Sequence, residues 1–167
     1  DFVQQVRDYV SGKSPFLRGT FRMIGLASEV IGSDPRTKGV VIMQMTWSAG
    51  DHMVAKPGIK RITDLRGKTV CLQQGGPHVG MFDDVLKTGR LSWDDLNVIF
   101  VKDLTGDNGP AERFRRDRTV DACFVITPDM IGLCGGLRDT GSGAEGTVRG
   151  AKVLVSTAEL SRSIADV

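Results

Sequence analysis

The residues best placed to do chemistry are a glycine pair and the three that follow it: Gly75, Gly76, Pro77, His78 and Val79. The run before them, Lys68–Gln73, reads as a buried strand, and the residues from Pro77 to Thr88 read as a helix with Val79, Phe82, Val85 and Leu86 on one face. The pair therefore sits where a strand ends and a helix begins. Glycine lets the chain turn sharply and lets a ligand approach bare backbone, and proline suits the first helical position, where its missing N–H has no partner to lose. The first N–H groups of a helix are unpaired and carry roughly half a positive charge, which suits an anion or a polar oxygen. On pattern alone the same turn also serves as a tight connection with no ligand. His78, in the first helical turn, reads as a hydrogen-bonding surface residue, because no cysteine or serine with a paired base stands beside it. The other histidine, His52, falls with Asp51 in a strand pattern, and both read as structural. No catalytic residue is assigned.

Three cysteines, Cys71, Cys123 and Cys134, have no metal-ligand spacing. Cys71 and Cys123 lie in apolar strand patterns and read as buried thiols. Neither a metal site nor a cofactor motif is present. Arg113, Arg115, Arg116 and Arg118 are interspersed with Glu112 and Asp117, which reads as a solvated helix face rather than a phosphate patch. With a net charge of +2, 40% hydrophobic and 25% charged residues over 167 positions, the chain is globular and gives no sign of a nucleic-acid partner. No run of about 18 apolar residues exists to span a membrane. The N-terminal segment, with Phe2, Val3, Val6, Tyr9 and Val10 on one face, reads as an amphipathic helix and not a secretion signal.

Several further elements follow from pattern. Phe21–Ser28 and the near-continuously apolar Val40–Trp47 are expected as strands, the second apolar on both faces as in a parallel sheet. Ser48, Ala49 and Gly50 interrupt it as a candidate hinge before Asp51–Lys56 resumes an extended pattern. Gly89 is expected to end the helix in the left-handed conformation, and Ser92 with Asp95 to form a capping box. Asn97–Val101 and Val120–Ile126 complete two more strands around a helix beginning at Pro110. The result is βαβαβ, which predicts a parallel sheet with right-handed crossovers. A short helix follows from Thr127, then a mobile glycine-rich loop, then the strand AKVLVS.

In order and spacing, three stretches resemble a known family. ITDLRGKTVCLQQGGPHVG, LSWDDLNVIFV and AERFRRDRTVDACFVITPD are similar to the second lobe of type II periplasmic binding proteins, most closely the nitrate/sulfonate/taurine (NMT1/THI5-like) group. The family pattern "DLKGKKVAV..GS..H" falls on Asp64–His78, and "A..AL..G.vDA....W.P" on Ala111–Pro128. Two positions depart: Asp117-Arg118 replace the glycine before "vDA", and Ile126-Thr127 replace an aromatic that commonly walls the pocket. The resemblance implies an α/β fold of two parallel-sheet lobes with helices on both faces. Residues 1–48 would be a partial first lobe, 49–162 the second, and 163–167 the start of a return crossover, so the chain reads as a fragment.

The same resemblance implies a ligand cleft between the lobes. Gly75, Gly76, Pro77, His78 and Val79 would hold an anionic ligand group through their N–H groups. Thr46, Trp47 and Ser48 would line the cleft floor, although Trp47 can equally pack in a core. Ser28 and Glu29, at a strand's carboxyl end, would face the ligand from the first lobe, where Glu29 pairs a cationic ligand or is simply solvated. Thr127 and Asp129 would lie at the cleft mouth, while Asp121 reads as structural. The function implied is the extracytoplasmic, periplasmic solute-binding component of an ABC importer, not an enzyme, taking a small organic anion and delivering it to permease and ATPase subunits. The alternatives are a LysR-type effector domain and an enzyme on the same scaffold, such as a pyrimidine synthase or a menaquinone-pathway dehydratase.

Overall fold

Alternation of apolar residues organises the molecule around one five-stranded sheet. The structure is a computed structural model and describes residues 2–160 and the backbone of 165–166. The strands are β2 (Asp51–Ala55), β3 (Thr69–Gln73), β4 (Asn97–Val101), β5 (Ala122–Ile126) and β6 (Lys152–Ser156), in the order β4-β3-β5-β2-β6. β3 runs parallel to β4 and β5, and β2 runs antiparallel to β5 and β6. The expected βαβαβ unit is thus the parallel half of a mixed sheet. Helices α4 (His78–Thr88) and α5 (Pro110–Arg116) make its crossovers, and α6 (Thr127–Cys134) follows β5 directly.

Strand period two sorts the core onto two faces. Val70, Leu72, Ala122 and Phe124 pack with Met81, Phe82, Val85 and Leu86 of α4. Their neighbours Cys71, Cys123 and Val125 pack with Ala111 and Phe114 of α5 and Met130 and Leu133 of α6. Parallel strands covered by helices on both faces are buried on both, which is why these sequences read as unbroken apolar runs. The three cysteines are free and buried, Cys71 and Cys123 in the apolar strands their patterns suggested.

Ser92 and Asp95 do form the capping box, with the Asp95 carboxylate accepting the Ser92 N–H at 2.8 Å. Helix α4 ends differently from expectation. Gly89 has φ −81°, and the left-handed residue is Arg90, at φ 53°. Arg90 N–H donates to the Lys87 carbonyl and Leu91 N–H to that of Leu86, a Schellman stop shifted one residue on. Gly89 is there for packing, since a Cβ would stand 2.5 Å from Ile62 Cγ2. Pro77, expected at the first helical position, is instead the cap residue. The glycine-rich loop, expected to be mobile, is fastened by backbone hydrogen bonds, Gly141 to Ala151 (2.9 Å), Gly150 to Gly141 (2.7 Å) and Val148 to Leu133 (2.9 Å).

The first 48 residues depart most from expectation. Helix α1 (Phe2–Val10) forms, but Phe21–Ser28 is not a strand: it holds α2 (Phe21–Leu26) and the start of α3 (Ser28–Gly32). Thr20 explains the first of these, because its hydroxyl accepts the Met23 N–H at 3.2 Å and caps the helix. Short apolar runs fit helix and strand periods equally, and the cap decided the matter. The apolar stretch Val40–Trp47 is strand only at β1 (Thr46–Trp47), which pairs antiparallel with β7 (Ala165–Asp166). With helices occupying residues 21–32, no neighbouring sheet takes up the stretch, and Val40 and Ile42 remain 81% and 78% exposed. Both apolar clusters begin at Met53 or later. Of the expected crossover start at 163–167, only the 165–166 backbone falls among the described residues, and 161–164 and 167 lie outside them. No helix among the described residues is long and apolar enough to cross a membrane.

Candidate functional site

A pocket of ≈ 280 Å³ collects polar groups from three separate segments. Arg18 and Thr20 come from the N-terminal segment, Ser48 and Asp51 from the junction of β1 and β2, and Gln74, Gly75 and Pro77 from the β3–α4 turn. β3 is a parallel strand, so its carboxyl end opens into the crevice where ligands of α/β sheets collect. Gly75 takes the left-handed conformation, φ 62°, which glycine alone adopts freely. Its neighbours' N–H groups are spoken for: Gln74 donates to Val101 at 2.9 Å and Gly76 to Gln73 at 3.4 Å. Among the described residues the Gly75 N–H has no acceptor and the Arg18 guanidinium no partner. Two donors thus face one pocket unpaired.

Behind the turn lies a buried polar cluster. His78 Nε2 stands 2.8 Å from Asp51 Oδ1, with the histidine fully buried and Asp51 only 4% exposed. The Ser48 hydroxyl donates to the other carboxylate oxygen, and the Asp51 N–H donates to Thr157 Oγ1 at 3.0 Å. Burial pushes the Asp51 carboxyl up, but the His78 contact, the Ser48 hydrogen bond and the charge of His52 outweigh it and hold the group below its ordinary range. His78 Nδ1 is buried without a hydrogen bond among the described residues, and its ring stacks on Phe124 at 5.6 Å. His52 is the structural histidine: its ring nitrogens lie 2.9 Å from Ser156 Oγ and 3.0 Å from Thr127 Oγ1, and burial lowers its pKa against the pull of Asp51.

The expected site residues scatter around this centre. Ser48, Gly75 and Pro77 line the pocket. Gly76 and Val79 line an adjoining crevice shared with α2, and His78 lies beneath the turn, buried rather than on the surface. Thr127 holds the Gly50 backbone and does not line the pocket, donating its N–H to the Gly50 carbonyl at 2.9 Å. Asp129 faces α5: burial raises its carboxyl, Arg115 opposes and Glu112 adds to the rise, and its Oδ2 is buried with no hydrogen bond among the described residues. Ser28 begins α3 and lines a separate apolar groove of ≈ 410 Å³, while Glu29, Thr46 and Trp47 are exposed outside the pocket. Ser28 and Glu29 miss it because the segment before them is helical, so no strand end points them inward.

Sequence reasoning missed Arg18 and read Asp51 only as structural. Arg18 sits in a patternless loop and left no signal. Asp51 left one, since a carboxylate opening an otherwise apolar strand must be paired when buried. Asp121 is structural as expected, accepting the Thr69 N–H at 2.9 Å. The arginines of α5 are tied up in pairs with Glu112 and Asp117. Among the described residues no three His, Cys, Asp or Glu side chains gather to hold a metal ion.

The architecture matches solved structures. The periplasmic aliphatic sulphonate binding protein of Escherichia coli superposes with a TM-score of 0.62 at 15% identity over 98% of this chain and 50% of its own. The chain has the fold of the periplasmic binding proteins. A periplasmic sulfonate-binding protein of an ABC transporter from Methylobacillus flagellatus gives 0.55 at 20% identity, covering 96% of this chain and 43% of that one. A desulfurization enzyme gives 0.55 at 16%, covering 90% and 53%. The chain spans about half the length of these structures. No protein-family model matches the sequence, and no curated protein does.

Proposed function

We propose that this chain is part of a solute-binding protein of an ABC importer and takes a small organic anion in the pocket between Arg18 and the Gly75 turn. The observation carrying this is the pair of unpaired donors, the Arg18 guanidinium and the Gly75 N–H, lining one pocket at the start of α4. A guanidinium offers a planar fork of donors that fits a carboxylate or sulfonate edge, and the helix start adds a fixed positive potential. At ≈ 280 Å³ the pocket suits a ligand of a few heavy atoms. Two proteins of this fold named above bind sulfonates, which supports putting sulfonates first among the anions.

In this reading residues 1–48 and 49–162 belong to two lobes that turn about Ser48–Gly50, and closure buries the ligand before delivery to an extracytoplasmic permease face. The Ser48–Asp51–His78 cluster braces the site and does not react. Ser48 donates to a carboxylate that His78 already occupies, which leaves no free base to activate the hydroxyl.

A thermal-shift screen against sulfonates, carboxylates, nitrate and bicarbonate tests the proposal. Binding to the native state adds about 2.7 kcal/mol at a hundred times Kd, a rise of several degrees. A sulfonate or carboxylate hit that Arg18→Ala abolishes is the expected result. Stabilisation by cationic or neutral ligands alone, or a hit indifferent to Arg18, overturns it.

A further inference from the structure

Among the described residues one arginine makes the ion pair between the two sides of the cleft. Arg22, on α2, reaches α4 across 58 and 62 positions of sequence. Its Nη1 donates to the Gly80 carbonyl at 2.6 Å, and its Nη2 donates to both Asp84 carboxylate oxygens, at 3.0 and 2.9 Å. Among the described residues no other ion pair bridges residues 2–45 and 51–160. Among the described residues neither apolar cluster crosses that boundary either.

A second observation concerns position 80. Glycine inside a helix weakens it relative to alanine, yet Gly80 sits in the first turn of α4. A Cβ there would stand 2.4 Å from Arg22 Cδ and 2.9 Å from its Nη1. The missing side chain is the seat of the arginine. Arg22 and Gly80 also line the crevice that adjoins the pocket, and the two cavities share Thr20, Met23 and Pro77. The clamp therefore holds the helix whose first turn carries the candidate ligand loop.

We propose that Arg22 is the latch of the cleft, holding α2 against α4 in the closed arrangement and adding to ligand retention without touching the ligand. This rests on the solute-binding reading of the neighbouring pocket. The carboxylate and guanidinium are about half exposed, at 45% and 53%, so the latch is weak enough to open and is screened by salt. Its geometry, a carboxylate fork plus a helix carbonyl, permits no equivalent contact from lysine at all three acceptors.

The test uses the full chain with spin labels at Glu29→Cys and Lys102→Cys, both exposed, the native thiols being buried. Electron–electron distance measurement on the unliganded protein reads the relation of the two sides. A single narrow distribution is expected, broadening to longer distances in Arg22→Ala, in Gly80→Ala and in 1 M NaCl. Gly80→Ala is the decisive variant because alanine favours the helix itself, so a loss of closure there is not a loss of folding. Distributions that superpose across all three overturn the latch.

A parallel arm measures ethanesulfonate dissociation, expected about two- to five-fold faster in Arg22→Ala, the range an exposed ion pair supports. If the unaltered chain does not bind ethanesulfonate, the solute reading loses its sulfonate form, and the distance arm still decides the latch.

Discussion

Replacing Asp51 by Asn isolates the one buried charge next to the candidate ligand turn. The substitution keeps shape and removes charge. The carboxylate serves two side chains, His78 Nε2 at 2.8 Å and the Ser48 hydroxyl, in a site where His78 is fully buried. An asparagine can accept from one and must present its NH₂ to the other. Ser48 can turn and accept, so the lasting loss is the charge-assisted contact to His78, about 1.5–3 kcal/mol. For a chain of this size each kcal/mol moves Tm by about 2–4 °C, so a drop of about 3–12 °C is expected at pH 7. The pH dependence gives the sharper test. Asp51 has its folded pKa depressed, so its stabilisation is fully present above the unfolded carboxylate value of about 3.9 and is lost as pH falls through the lower folded value. Chemical denaturation of both proteins from pH 7 down to pH 3 should show a constant gap above about pH 5 that narrows below it. A gap under about 0.5 kcal/mol at pH 7, or one that does not narrow in acid, refutes the charged-cluster account.

Two further expectations concern packing and reactivity. Gly141→Ala should lower stability by about 1–3 kcal/mol in urea unfolding, because its Cβ would stand 2.0 Å from the Val148 carbonyl oxygen and the neighbour is backbone that cannot swing away. The thiols of Cys71 and Cys134 are pushed up to about 11 by burial, and that of Cys123 is raised well above its ordinary value, so none should react with a disulfide reagent at pH 8 until the protein unfolds.

The parallel half of the sheet was legible because its signals agree with one another. A strand pattern such as TVCLQ, a glycine turn, a helix of one apolar face and a capping box at Ser92 all demand the same βαβ unit. Val40–Trp47 had only one signal, hydrophobicity, and hydrophobicity names a strand without naming its neighbours. A strand needs a ladder on at least one edge, and pairing between distant segments leaves no local mark. The same blindness hid the antiparallel course of β2, whose register against β5 and β6 is set by segments about 70 and 100 positions away. Phe21–Leu26 shows the converse: a single hydroxyl, Thr20, turned an ambiguous apolar run into a helix.

The candidate site was half legible for a related reason. Gly75 and Pro77 are local, and the turn they build could be read from the turn itself. Asp51 and His78 are 27 positions apart, and each alone is unremarkable. What joins them is the order β3-β5-β2 together with α4 lying on the face that β5 presents through Phe124, which also packs against Phe82 at 5.2 Å. His78 therefore stacks on a residue of β5 while reaching a carboxylate of β2, and the start of α4 is fixed against two strands at once. That bracing gives the Gly75 turn a defined pose, and in the proposed role a preorganised donor loses less freedom on binding than one that must be ordered. The buried carboxylate works through the histidine as a support for the turn. The free donors above it, Gly75 and Arg18, are then left to act on whatever enters the pocket.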